Sequence, residues 1–504
     1  MGIIAKQSIK GTIVTYLGVA VGFVTTFFVI TRFLSAEDIG LARVMIDAAT
    51  LFIGLAQLGT SASILRFYPY FAEPSEVRGQ KPEEHGFFFW TIVVPMVGFL
   101  LVALLFMVCY APLSEWFGEK SPLFVNYYYL VLPLAFFMLY QTVFETNANV
   151  RMRIVFPRAV RELLTRVGLL AVYLLYAFDV VTTDGFVWSL VGVYAVAALC
   201  NTVYLFSLGG VSLKPDFAYL RQNPGIVRKY LLYTAFLVLS AVVSVLAPTL
   251  SSFFITAQMG LSYTGIFAIA TYMAMMVSIP YRSLTAIAAP QLSLAIKHDD
   301  REQISHQLTQ VSGNLLLIGG LILALMWVNI DLIFAILPNG ATYAVARRTV
   351  LLLGIGQLCV ATFQFTVTAL SYSRYYPFTL LFSLVLTVLA LLLNNLFIPR
   401  WGIDGAALAT LTAQVSYYLI ALITVRLALG SRIFTRRHLL TILLLVLLFV
   451  ANALCLRYIP VGTIWLSSLL RTLLVVAVAA LAYQWRISPE INEYIHALFH
   501  RIRL

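Results

Sequence analysis

One feature limits what this chain can become. Apolar stretches of about twenty residues recur along nearly all of its 504 positions. A stretch of that length matches the hydrocarbon thickness of a bilayer when helical, and no soluble core could absorb so many. Hydrophobic residues make up 61% of the chain and charged residues 11%, against about 25% charged in an ordinary soluble domain. A soluble enzyme, a nucleic-acid-binding domain and a disordered chain are excluded together. The expected fold is an all-α polytopic membrane protein.

Fourteen apolar segments can be drawn: 11–34, 41–65, 87–111, 124–147, 160–179, 185–208, 230–256, 264–289, 309–336, 348–371, 376–399, 403–427, 439–458 and 462–483. The first is too long for a signal-peptide core and lacks a cleavage pattern. Pro95, Pro133, Pro248 and Pro280 lie inside segments, where membrane helices tolerate proline. The net charge of +12 reads as topology. With the N-terminus, the even-numbered loops and the C-terminus on one side, 23 of the 33 Lys and Arg fall there and 7 on the other. The positive-inside rule then puts both termini in the cytoplasm. No loop exceeds roughly twenty residues, too few to fold as a soluble domain.

The four cysteines lie in apolar stretches without Cys or His neighbours, and the six histidines are scattered. Neither a disulfide framework nor a metal site is expected, and no motif implies a cofactor. An internal repeat is visible. Glu37-Asp38-Ile39-Gly40 precedes the second segment and Ser262-Tyr263-Thr264-Gly265 precedes the eighth. Asp184-Gly185 precedes the sixth segment and Asp404-Gly405 the twelfth. The offsets, 225 and 220 residues, suggest two parallel six-helix halves. The expected domains are 1–208, a cytoplasmic linker at 209–229, 230–429, and two extra helices with a tail at 430–504.

The stretch Leu393-Asn394-Asn395-Leu396-Phe397-Ile398-Pro399-Arg400-Trp401-Gly402-Ile403-Asp404-Gly405-Ala406-Ala407-Leu408-Ala409-Thr410 resembles the late signature of polysaccharide, or lipid-linked oligosaccharide, flippases. Thr31-Arg32-Phe33-Leu34 through Ile39-Gly40, Leu65-Arg66-Phe67-Tyr68-Pro69, and Gly265-Ile266-Phe267-Ala268 through Pro280 resemble the same family. The resemblance implies the multidrug/oligosaccharidyl-lipid/polysaccharide exporter superfamily. Its fold is two six-helix bundles in a V, with two further helices in the flippase branches. The implied activity is non-enzymatic translocation of a polyprenyl-(pyro)phosphate-linked oligosaccharide across a bacterial cytoplasmic membrane by alternating access. The rivals are a cation-coupled multidrug antiporter, a lipid II-type flippase and a membrane enzyme of glycan assembly. Many relatives carry an Asp late in the seventh helix, where this chain has Ser251-Ser252.

Ionisable side chains inside membrane segments are expensive unless paired or hydrated, so they are the functional candidates. Arg282 and Arg66 sit in the eighth and second helices, equivalent in the repeat. They are candidate phosphate ligands because Arg offers a permanent charge and a bidentate fork. Snorkelling to lipid headgroups is the alternative for Arg66. Arg374 and Arg151, at cytoplasmic helix ends, join the substrate-binding set, although the basic loop around Arg151 can serve topology alone. Asp47 and Glu145 are the candidates for coupling to a proton or sodium ion. Asp47 can equally be neutralised by Arg43, four residues earlier, and Glu145 can simply cap a solvated mouth. Arg471, in the fourteenth segment, can meet a lipid-linked substrate or pair with an internal carboxylate or carbonyl. The expected partners are this substrate, membrane lipid and a coupling ion, not nucleic acid.

Overall fold

A computed structural model of the chain describes residues 3–71, 85–209, 211–222, 224–431, 433–458, 463–485 and 492. The described residues are helical, turn or irregular, with no β-strand among them. They divide into two compact units, Met1–Gly265 and Ile266–Leu504.

The first unit contains α1 (Ile3–Val24), α2 (Ala36–Ala56), α3 (Thr60–Phe71), α4 (Phe87–Val108), α5 (Val131–Val150), α6 (Thr165–Ala177), α7 (Thr183–Leu208) and α8 (Pro224–Gln258). Helix α5 packs against α2, α3, α4 and α7, and Leu134, Leu139 and Val143 on it are fully buried. Helix α2 starts with a complete capping box. Ser35 Oγ accepts from the Asp38 N–H, and the Asp38 carboxylate accepts from the Ser35 N–H. These bonds satisfy two of the donors that a helix start leaves free. Small residues on α2 let neighbours approach closely. A Cβ on Gly40 would overlap the Leu261 carbonyl, and one on Gly265 would overlap the Ala36 carbonyl. The two repeat glycines therefore meet backbone to backbone. Two π-helical stretches interrupt the unit, Thr25–Ile30 after α1 and Val160–Leu164 before α6.

The boundary between units falls inside α9 (Leu261–Met275). The second unit continues with α10 (Ile279–Lys297), α11 (Arg301–Val328), α12 (Arg347–Tyr372), α13 (Pro377–Ala428), α14 (Arg436–Tyr458) and α15 (Ile464–Gln484). Helix α11 packs against α10, α12, α14 and α15. A core of Leu308, Leu315, Phe365, Leu370, Phe382 and Tyr417 knits α11, α12 and α13 together.

Among the described residues, eleven helices are long and apolar enough to cross a bilayer. The sequence suggests fourteen, and the difference has three sources. The 52-residue α13 covers two sequence segments. It breaks at Gly402 (φ 59°, ψ −136°), a conformation open essentially to glycine alone. Beyond the break the chain doubles back, since a Cβ on Gly405 would meet the Phe397 carbonyl. The fifth segment is divided between the π-helical stretch, which carries Arg161 and Glu162, and the thirteen-residue α6. The seventh lies within α8, where the apolar stretch Val245–Gln258 is short. The protein is a multi-pass helical membrane protein.

Candidate functional site

In the first unit, polar side chains of α5 face the helices packed around it. Gln141, Glu145 and Asn147 are all buried there. Glu145 is ion-paired. Its Oε1 lies 2.8 Å from Arg161 Nη1. Arg161 also meets Glu162 at 3.3 Å, and Glu162 meets Arg166 at 3.2 Å. Arg166 in turn donates to the Gly18 carbonyl of α1 at 2.9 Å. Gly22 leaves room for that guanidinium, because a Cβ there would collide with it. The π-helical turn holds Arg161 and Glu162, and such turns often accompany functional positions. The result is a ladder of two carboxylates and two guanidiniums, charge-balanced within itself. Near its end, Asn147 donates to Thr91 at 3.2 Å, while the amide oxygens of Asn147, Asn149 and Asn201 have no hydrogen-bond partner.

Asp47 lies elsewhere, at the contact of α2 with α8. Its carboxylate accepts from Arg43 Nε at 2.8 Å and from the Ser252 hydroxyl. The expected self-neutralised pair exists, and Asp47 also reaches the helix where relatives carry the Asp that this chain lacks. Sequence reasoning did not foresee the partner, because residues 47 and 252 share no local pattern.

Two of the four candidate arginines lie in each unit. In the first unit, exposed Arg66 lies over the Tyr233 ring at 4.2 Å. Arg151 donates to the Asn147 carbonyl at 2.8 Å and lies over Tyr68 of α3 at 5.6 Å. Arg151 therefore stands where α5 meets α3, and Arg66 where α3 meets α8. In the second unit, Arg282 is exposed on α10 and has no ion-pair or hydrogen-bond partner among the described residues. The adjacent Tyr281 hydrogen-bonds Thr368 of α12. Arg374 follows the end of α12, exposed, with its Nη2 2.8 Å from the Tyr375 hydroxyl. In the repeat suggested by the sequence, Arg66 and Arg282 fall on equivalent helices, as do Arg151 and Arg374. An arginine with free N–H donors is suited to hold phosphate oxygens. No cluster of metal-ligating side chains occurs among the described residues.

A second cluster joins the segment 211–222 to the rest of the first unit. His85 stacks on Tyr219, with ring centroids 4.4 Å apart, and its Nδ1 lies 3.4 Å from Asp216. Asp216 also accepts from the Tyr219 N–H at 2.9 Å. The Tyr219 hydroxyl donates to the Tyr70 carbonyl. Gly86 takes φ 67°, and a Cβ there would press on the backbone of Lys214 and Asp216.

A family model described as "Polysaccharide biosynthesis protein" matches residues 4–294, more than half of the chain. The chain belongs to the polysaccharide biosynthesis protein family. No curated protein sequence matches it. Among solved structures, it is similar to the lipid II flippase MurJ in an inward closed conformation, at 13% identity and TM-score 0.68. That match covers 95% of this chain and 100% of the other. An inward-facing multidrug resistance MATE family transporter matches at 12% identity and TM-score 0.63, covering 82% and 98%. The MATE transporter VcmN of Vibrio cholerae matches at 14% identity and TM-score 0.54, covering 86% and 99%. At these identities the likeness establishes the fold alone, the one shared with these transporters.

Proposed function

We propose that this member of the polysaccharide biosynthesis protein family is a flippase for a polyprenyl-(pyro)phosphate-linked oligosaccharide. It works by alternating access in a bacterial cytoplasmic membrane and performs no covalent chemistry. The observation that carries this reading is the placement of arginines. Arg66 and Arg151 lie in the first unit and Arg282 and Arg374 in the second, and among the described residues neither Arg66 nor Arg282 is tied to a carboxylate. A lipid pyrophosphate must shed water to cross, and guanidiniums replace that hydration with charge-assisted hydrogen bonds. The aromatic rings under Arg66 and Arg374 hold each guanidinium by cation–π contact while leaving N–H groups for a ligand.

Coupling to a proton or sodium gradient is assigned to Asp47 in preference to Glu145. Glu145 is bound into a charge-balanced ladder. Asp47 has one charged partner and a hydroxyl, so it can exchange a proton or cation without stranding two other charges.

Reconstitution in liposomes with a fluorescent polyprenyl-pyrophosphate oligosaccharide tests the reading. Arg66→Ala and Arg282→Ala are expected to slow flipping at least tenfold each, about 1.4 kcal/mol of lost stabilisation. The Lys variants should recover part of the rate. Wild-type rates in both Ala variants would refute the phosphate-binding role. Transport of organic cations without glycolipid transport would favour the antiporter reading.

A further inference from the structure

Helices α14 and α15 pack on α11 along one seam. Leu317, Leu444 and Ala482 form one layer of it, and Ala324, Leu448 and Val475 the next. Continuing by helical spacing, the same faces present Asn452 on α14 and Ser468 and Arg471 on α15. All three are buried, at 2%, 2% and 5% exposure. The seam thus turns from apolar to polar at its end nearest the chain reversal between α14 and α15. Asn329, just past α11, closes that corner by donating to Thr472 Oγ1 at 2.9 Å.

Arg471 has no carboxylate partner among the described residues. Its Nε donates to the Ser467 carbonyl at 3.1 Å and its Nη2 to Ser467 Oγ at 2.6 Å. Both acceptors belong to its own helix and neither carries a charge. Asp331 is already held by Arg347 at 2.9 Å. The segment 459–462, Ile-Pro-Val-Gly, contains no acid. A guanidinium has five N–H donors, so most remain free here, and on the same faces of the seam Asn452 Oδ1 and Ser468 Oγ have no partner either. An uncompensated buried cation flanked by further hydrogen-bonding groups is a site for an anion.

Depth points to the chemical class. At about 1.5 Å of rise per residue, Ser467 lies roughly 6 Å along the helix from its cap at Thr463. Trp465, between them, is exposed, and tryptophan favours the headgroup level of a bilayer. The guanidinium is drawn back toward that level by Ser467. Leu469, Leu473 and Val476 along the outside of α15 are exposed and suit acyl chains.

We propose that Arg471, with Ser468 and Asn452, binds a phosphate group at this end of the α11–α14–α15 seam, supplied by an anionic lipid headgroup or by free phosphate. The site is separate from the arginines assigned above and does not depend on the transport reading.

The test is a binding titration of the purified full chain in neutral detergent with phosphatidylglycerol, with diacylglycerol, and with inorganic phosphate, read by native mass spectrometry and thermal shift. Phosphatidylglycerol is expected to bind and raise Tm, and diacylglycerol is not. Arg471→Gln should weaken binding about tenfold or more, as expected for loss of a charge-assisted contact, and Arg471→Lys less. Ser468→Ala and Asn452→Leu, which change no charge, should weaken it by smaller factors. They carry the test if Arg471→Gln fails to fold. Saturation by phosphatidylglycerol alone assigns the ligand as a lipid headgroup, and equal competition by inorganic phosphate assigns it as the free anion. Unchanged phosphatidylglycerol binding in the variants, or equal binding of diacylglycerol, overturns the proposal.

Discussion

The most informative single residue is Asp47. A carboxylate in a membrane helix is tolerated only with compensation, and here it comes from Arg43 one turn away and from Ser252 on another helix. Removing Arg43 leaves the Asp47 carboxylate charged and buried, and removing Asp47 takes away the nearest counter-charge of half-buried Arg43, whereas removing both restores balance. Asp47→Ala is therefore expected to destabilise by about 3 kcal/mol, and Arg43→Met/Asp47→Leu by distinctly less. Thermal denaturation of the four forms of that cycle measures the coupling. The Arg43 part was legible in the sequence, because i and i+4 share a helix face. The Ser252 part was not, because it depends on tertiary contact. The same division applies to Glu145. The sequence shows a polar stripe from Gln141 to Asn149 and a basic loop after it. The pairing with Arg161 is made from the π-helical turn Val160–Leu164 by a side chain that stays half exposed, and no composition signal marks such a turn.

At the scale of elements, the segment between α7 and α8 is fastened to the start of α4 by one acid and a stacked imidazole. The Asp216 carboxyl is held below the usual carboxylate range, chiefly by the Tyr219 N–H and then by His85. The ionised form is therefore favoured by the folded arrangement. Its contribution is complete at neutral pH, above the ordinary value of 3.8, and is lost as pH falls through that value and below. Once corrected for the intrinsic exchange rate at each pH, hydrogen exchange over 211–222 should accelerate on acidification from pH 6 to about 3.5 in the wild type. In Asp216→Asn it should be raised at both pH values and nearly independent of the change. Which helices exist was legible from hydropathy. Where they end was less so. The reversal at 393–405 could be read from Pro399, Gly402 and Gly405, whose conformational restrictions are local. The division of the fifth segment could not, because Arg161, Glu162 and Arg166 look like a helix interruption until their partners on α1 and α5 are known.

At the scale of the whole molecule, charge asymmetry and the repeat carry the topology. With both termini cytoplasmic, a green fluorescent protein fused after Asp299 should fluoresce, and alkaline phosphatase fused after Asn339 should be active. The reverse pattern would invert the assignment. Two turns that the sequence sets 225 residues apart also meet in the structure. Gly40 and Gly265, matched by their place in the two halves, are in mutual backbone contact. In most close contacts a lineage can enlarge one partner and shrink the other. Here each partner already has the smallest side chain, so no compensating change exists. Any side chain added at either position must push the two backbones apart, so this crossing sets a minimum distance between α2 and α9 that no substitution at its partner can relieve.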